Sequence, residues 1–171
     1  MPERLFEAQQ LVARPLDAVF AFFSVPENLE RITPPWLGFR LVHRTTPDVR
    51  EGTELTYRLR IHGLPVTWRS RIEQWEPGRK FVDVQLRGPY ATWRHTHTFA
   101  AVEGGTRVGD LVRYRLPLGR LGDLLGGALV ARDVRRIFEY RRSVIERLLG
   151  PVSPAPLGHD TKTVAGALPR A

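Results

Sequence analysis

The stretch from Asp123 to Leu149 constrains this chain more than any other. Val130, Val134, Ile137, Phe138, Val144, Ile145 and Leu148 recur at steps of three and four, which gathers them on one face of a helix. Arg132, Arg135, Arg136, Arg142 and Arg147 fill much of the remainder, with Asp133, Glu139 and Glu146 between them. Asp123 is the expected N-cap and Gly150-Pro151 the expected stop. Gly126-Gly127 in the first turns predicts a kink, a later start or close backbone packing. At 1.5 Å per residue the segment spans roughly 40 Å. Such a helix needs a broad apolar surface to lie on.

The preceding residues supply one. Leu5–Val12 reads as a strand. Pro15 and Asp17 then open a short apolar helix through Phe23, and Pro26-Glu27 opens a second that ends at Thr33-Pro34-Pro35. Six strands follow at hairpin spacing, near 39–46, 53–62, 66–75, 80–87, 91–101 and 106–116. Turn residues separate them: Gly63-Leu64-Pro65, Pro77-Gly78, Gly88-Pro89 and Gly104-Gly105 among them. Strands joined this way form an antiparallel sheet, and a twisted sheet can curl around a long helix. The expected class is α+β: a curved seven-stranded sheet, a long C-terminal helix, and two short helices after strand one. Residues 1–150 form the expected domain, and the Pro-, Gly- and Ala-rich residues 151–171 a tail.

Alternation assigns the faces. Leu55, Tyr57, Leu59 and Ile61 should face the helix, as should Trp68 and Ser70 on the next strand. Val82, Val84 and Leu86 suggest one inward face, with Asp83 and Gln85 as weaker candidates should a bulge follow Pro77-Gly78. Trp93, His95, His97 and Phe99 share an inward face. So do Val108, Asp110, Val112, Tyr114 and Leu116. A two-residue Gly104-Gly105 turn would pair Phe99 with Asp110, His97 with Val112, His95 with Tyr114 and Trp93 with Leu116. Asp110 would then sit diagonal to His97, roughly 7–8 Å away. The interior therefore mixes aromatic rings with groups that need polar partners.

Apolar residues make up 42% and charged residues 26%, ordinary values for a globular domain. No apolar run is long enough to span a bilayer, and the first residues lack a signal-peptide pattern, so the cytoplasm is the expected location. Cysteine is absent, which excludes disulfides and thiolate metal sites. The net charge of +8 comes almost wholly from arginine, Lys80 and Lys162 being the only lysines. These arginines scatter over outward strand positions, which argues against a nucleic-acid partner. Only the long helix could present a basic stripe, the basis of an alternative reading as a regulatory module that binds an acidic partner.

Several stretches carry a resemblance. Val12-Ala13-Arg14-Pro15-Leu16-Asp17-Ala18-Val19-Phe20, then Gly88-Pro89-Tyr90 before Trp93, His95, His97 and Phe99, then Gly105-Thr106 before Asp110 and Tyr114, look like the START-related, birch-pollen-allergen-like (SRPBCC) superfamily. Its polyketide cyclase/dehydrase and lipid-transport group is the most similar. The resemblance runs from Leu5 to Leu149 and implies the helix-grip fold reached above from the strands. It also implies an internal cavity for sterols, lipids, polyketides or similar molecules. No catalytic motif of the superfamily transfers residue by residue.

The expected function is binding, for carriage or sensing, of a small hydrophobic or amphipathic molecule beneath the long helix. Expected ligand-binding residues are Trp36 (as a gate), Tyr57, Trp68, Ser70, Trp93, His95, His97, Phe99, Asp110, Tyr114, Val134 and Phe138. An alternative is a cyclase/dehydrase-type enzyme in which Asp110 orients His97 for proton transfer and Tyr57 or Tyr114 polarises a carbonyl. A third reading takes His95-x-His97 as a metal pair with His43 or Asp110 as third ligand. The binding reading implies no cofactor and no metal.

Overall fold

The computed structural model describes residues 3–150. The expected 151–171 tail lies outside them. In chain order the elements are β1 (Arg4–Val12), α1 (Leu16–Phe23), α2 (Glu27–Ile32), a 3-10 turn (Pro35–Leu37), β2 (Arg40–Arg44), β3 (Glu54–Ile61), β4 (Leu64–Glu76), β5 (Lys80–Arg87), β6 (Thr92–Val102), β7 (Gly105–Arg115) and α3 (Gly119–Leu149). The seven strands form one antiparallel sheet in the order β1-β7-β6-β5-β4-β3-β2. This is the helix-grip layout. α1 and α2 carry the chain from one sheet edge to the other. No helix among the described residues is long and apolar enough to cross a membrane.

The apolar stripe of α3 buries Val134, Phe138, Val144 and Ile145. Val134 and Phe138 pack with Val112, Tyr114 and Leu116, while Val144 and Ile145 join the larger core with Leu55, Tyr57, Ile72, Phe81 and Phe99. The backbone of α3 comes nearest to β1 on one side and α2 on the other. The helix thus bridges the sheet from rim to rim. α3 starts at Gly119, earlier than expected, and Asp123 is no cap: its carboxylate is inside the helix, paired with Arg4 of β1. Close packing explains Gly127, where a β-carbon would lie 2.2 Å from the Arg4 guanidinium.

Two registers differ from expectation. The β6–β7 turn is Glu103-Gly104, so Val102 pairs with Gly105, His97 with Asp110, His95 with Val112, Trp93 with Tyr114 and Phe99 with Val108. Gly105 is needed elsewhere. At φ +146° it passes so close to β1 that a β-carbon would lie 2.1 Å from the Val12 carbonyl oxygen. The two-residue shift preserves the faces and sets Asp110 directly opposite His97. The second correction concerns β5. Its register with β4 shifts between Ile72 and Gln74, and its pairing with β6 sets Phe81 against His97 and Asp83 against His95. Phe81 and Asp83 therefore share the inward side, not Val82, Val84 and Leu86.

Glu30 ties α2 to the sheet edge: its carboxylate accepts the Leu41 N–H at 2.7 Å and an Arg40 N–H at 3.0 Å. The Leu41 N–H and then Arg40 hold its carboxyl below the ordinary value. A depressed folded-state value stabilises the fold above the unfolded value and loses that contribution as pH falls through the folded one. Glu30→Gln is expected to cost under about 1 kcal/mol at pH 7, because the pair is partly solvated. The difference from the unaltered protein should vanish in acid, as denaturant melts at stepped pH would show.

Candidate functional site

Between the sheet and α3 lies a cavity of about 610 Å³. β3 contributes Leu55, Tyr57 and Leu59, and β4 contributes Trp68, Ser70 and Ile72. Trp93, His95 and His97 come from β6, and Val134, Ile137, Phe138 and Arg141 from α3. Phe22, Leu29 and Ile32 close one end. The lining is mainly apolar with a small polar floor.

An aromatic wall forms on one side. The Trp68 ring centre lies 5.3 Å from that of Trp93 and 5.6 Å from that of Tyr90, and Tyr90 and Trp93 are 4.8 Å apart. Gln85 fixes this wall by donating its amide N–H to the Tyr90 carbonyl at 2.8 Å. Gly88 is where that side chain crosses the loop, since a β-carbon would lie 2.3 Å from the Gln85 amide oxygen. The Gly-Pro-Tyr stretch thus presents Tyr90 to the cavity.

Exposed lining residues mark the opening: Trp36, His62, Leu129, Arg132 and Arg136. Trp36 rides on the 3-10 turn, 5.4 Å from the Tyr140 ring and 4.5 Å below the Arg136 guanidinium. His62, in the β3–β4 turn, meets Asp133 of α3 at 2.8 Å. The mouth is therefore tied across from turn to helix.

The floor holds a tetrad of two buried histidines and two partly buried aspartates. His95 Nε2 lies 2.8 Å from Asp110 Oδ1 and His97 Nε2 lies 3.1 Å from Asp83 Oδ2. His95 Nδ1 is 3.7 Å from Asp83 Oδ2, and His97 Nδ1 is 3.2 Å from Asp110 Oδ1. That last nitrogen is buried without a well-directed hydrogen bond. The imidazole centres are 3.7 Å apart, and Phe81 stacks on His97. Arg141, buried on α3, adds a positive charge that acts on both carboxylates. Burial pushes the Asp83 and Asp110 carboxyls up, but the histidine contacts and Arg141 outweigh it and hold both below the ordinary value, Asp110 well below. Burial and the neighbouring His97 push His95 down, whereas contacts with Asp110 and Asp83 overcome burial and raise His97. Beside Ser70, burial and then the Asp83 charge push the Tyr57 hydroxyl far above its ordinary value.

Of the expected pocket residues, Trp36, Tyr57, Trp68, Ser70, Trp93, His95, His97, Val134 and Phe138 line the cavity; Phe99, Asp110 and Tyr114 do not. Phe99 packs against Phe20, Phe23 and Phe81. Asp110 stands behind the imidazoles and borders a smaller recess beside β1. Tyr114 is buried near Arg4 and Asp123. The expected catalytic trio is thus divided: His97 and Asp110 meet, and Tyr114 is elsewhere. His43 is exposed on edge strand β2, with β5, β4 and β3 between it and β6, and is no third ligand to the histidine pair. On sequence, Arg132, Arg135, Arg136, Arg142 and Arg147 belong to the polar side of α3 and Arg141 is left without a role. The signal was its position, three residues after Phe138 and four before Ile145, on the apolar stripe.

The chain matches the polyketide cyclase / dehydrase and lipid transport family over residues 4–148, and belongs to it. No curated protein sequence matches the chain. Solved structures share the fold at low identity. Protein CV1439 from Chromobacterium violaceum superposes with a TM-score of 0.69 at 14% identity, over 87% of this chain and 99% of that one. Ginseng major latex-like protein 151 from Panax ginseng gives 0.65 at 13% identity, over 87% and 99%. The di-domain ARO/CYC StfQ from the steffimycin biosynthetic pathway gives 0.68 at 17% identity, over 86% of this chain and 50% of that one.

Removing Asp110 takes from the buried His95 its hydrogen-bond partner and from the floor a negative charge that faces His97 and Arg141. Asp110→Ala is expected to lower unfolding stability by about 3 kcal/mol. Glu139→Ala, on the exposed side of α3, should stay within about 0.5 kcal/mol of the unaltered protein in the same urea titration.

Proposed function

We propose that this protein binds a small apolar or amphipathic molecule in the cavity under α3, as a carrier or sensor. The observation that carries this reading is the cavity itself. Its volume of about 610 Å³ and its lining, apolar walls with a few converging polar groups, suit a small-molecule site. An apolar body would lie along Trp68, Tyr90, Trp93 and Phe138. A polar end would meet Ser70, Tyr57 or His97 on the floor, and entry would pass Trp36. The family description spans both cyclisation and lipid transport. Of the two tyrosines considered as carbonyl partners, Tyr57 lines the cavity and Tyr114 does not, so an acid–base reading would run through His97 and Tyr57; binding is favoured because the lining is mainly apolar.

Ser70 points from the middle of β4 into this space, so a larger side chain there occupies it. Ser70→Trp is expected to weaken uptake of a fluorescent apolar probe such as 1-anilinonaphthalene-8-sulfonate at least tenfold, with the circular dichroism spectrum unchanged. Uptake by the unaltered protein should be nearly independent of salt, since burial of apolar surface drives it. Equal uptake by both proteins would remove the cavity as the binding site.

A further inference from the structure

The polar floor has a second property that apolar-ligand binding does not require. Asp83, His95 and His97 each offer one ligand atom, and the three atoms lie within 4.8 Å of one another; Asp83 Oδ2 faces His95 Nδ1 and His97 Nε2. Two of the three separations are 3.1 Å and 3.7 Å. Ligand atoms about 2.1 Å from a shared ion stand roughly 3.0–3.4 Å apart, so small side-chain rotations would bring the three into coordination range. All three side chains line the cavity. Their sheet positions explain the convergence: His95 and His97 alternate onto the same face of β6, and Asp83 faces His95 from β5.

The second side of the cluster is equally specific. The ring nitrogens turned away from this point, His95 Nε2 and His97 Nδ1, both meet one carboxylate oxygen, Asp110 Oδ1, at 2.8 Å and 3.2 Å. A carboxylate behind the imidazole is the usual support of a metal-binding histidine, because it fixes the tautomer and orients the ring. Here Asp110 Oδ1 is hydrogen-bonded to His95 and lies close behind His97 without a well-directed hydrogen bond to it. The two carboxylates outnumber the single Arg141 guanidinium, so the site is electronegative when the imidazoles are neutral. The cavity side is open, which leaves further coordination positions for water or an oxygen of a bound molecule.

We propose that Asp83, His95 and His97 bind one divalent transition-metal ion of the Zn²⁺ or Fe²⁺ class, with Asp110 as the positioning carboxylate behind both histidines. Two imidazoles and one carboxylate with open positions suit such borderline ions, and suit Mg²⁺ or Ca²⁺ poorly because these prefer all-oxygen shells. The inference stands apart from the identity of any organic occupant.

The test is titration of chelator-treated full-length protein with Zn²⁺ by calorimetry, and with Co²⁺ by visible absorption. One ion per chain is expected, with d–d bands from Co²⁺. Asp83→Asn and His97→Gln should each weaken binding at least tenfold, and Asp110→Asn tenfold to a hundredfold. Among the described residues His62 is a competing histidine, paired with Asp133 at the mouth. His62→Ala and the exposed-site variant His43→Ala should therefore retain full uptake. No Zn²⁺ binding and no Co²⁺ bands in the unaltered protein would overturn the proposal, whether or not the floor variants fold. Loss of the signal in His62→Ala or His43→Ala would also overturn it.

Discussion

Val134, Phe138, Arg141 and Ile145 follow one another along α3 at steps of four and three, and they set how the helix lies on the sheet. Burying a large apolar side chain is worth about 1.5–3 kcal/mol, so this short stripe anchors the helix against β6, β7 and the main core. The anchoring does not extend along the whole helix. α3 approaches β1 and α2 most closely, and the middle strands β3 to β5 run beneath it without such contact. A helix supported at its two rims over a concave sheet leaves a hollow. The cavity is thus a consequence of where the stripe ends.

Arg141 stands in that stripe where an apolar residue would otherwise continue it. Its charge acts on Asp83 and Asp110 through space, while His95 and His97 give those carboxylates their direct contacts. An ionised side chain moved from water into a low-dielectric interior costs several kcal/mol, and charge pairing with hydrogen bonds offsets part of that. The site therefore acts as a unit across four elements: β5, β6, β7 and α3. A wholly apolar floor of the same volume would be simpler to stabilise. Retaining two carboxylates, two imidazoles and a guanidinium at the base of an apolar cavity points to a use for them.

The architecture was legible because each of its signals is local. Strand alternation, turn residues and the three-and-four spacing of the long helix are read within a few neighbours. What was not legible depended on contacts between distant parts. Gly104 and Gly105 looked like a single turn, yet Gly105 answers to the carbonyl of Val12, nearly a hundred positions earlier. The valines of β5 looked like an inward face, but its pairings with β4 and β6 decide the phase. Asp123 resembled a helix cap because its partner, Arg4, belongs to the opposite end of the chain. On the site, alternation placed His95, His97 and Asp110 on one face. The two-residue register error hid the direct opposition of His97 and Asp110, and Asp83 entered only once the β5 phase was known.

The outward half of α3 follows a different rule from the inward half. Leu121, Leu124 and Leu125 are exposed near its start, where Gly126 also has open space around it. Farther along, Arg132 and Arg136 stand at the mouth with Leu129. The helix therefore passes from an uncovered apolar beginning, through an arginine-rimmed opening, to a stretch where the core buries Val144 and Ile145. The mouth is held instead by two side-chain contacts, His62 with Asp133 and Trp36 with Arg136, both partly exposed. Contacts of that kind contribute little each in water, about 1 kcal/mol or less. The opening is thus bounded by partly exposed contacts, whereas the floor is held by buried histidines against aspartates on neighbouring strands.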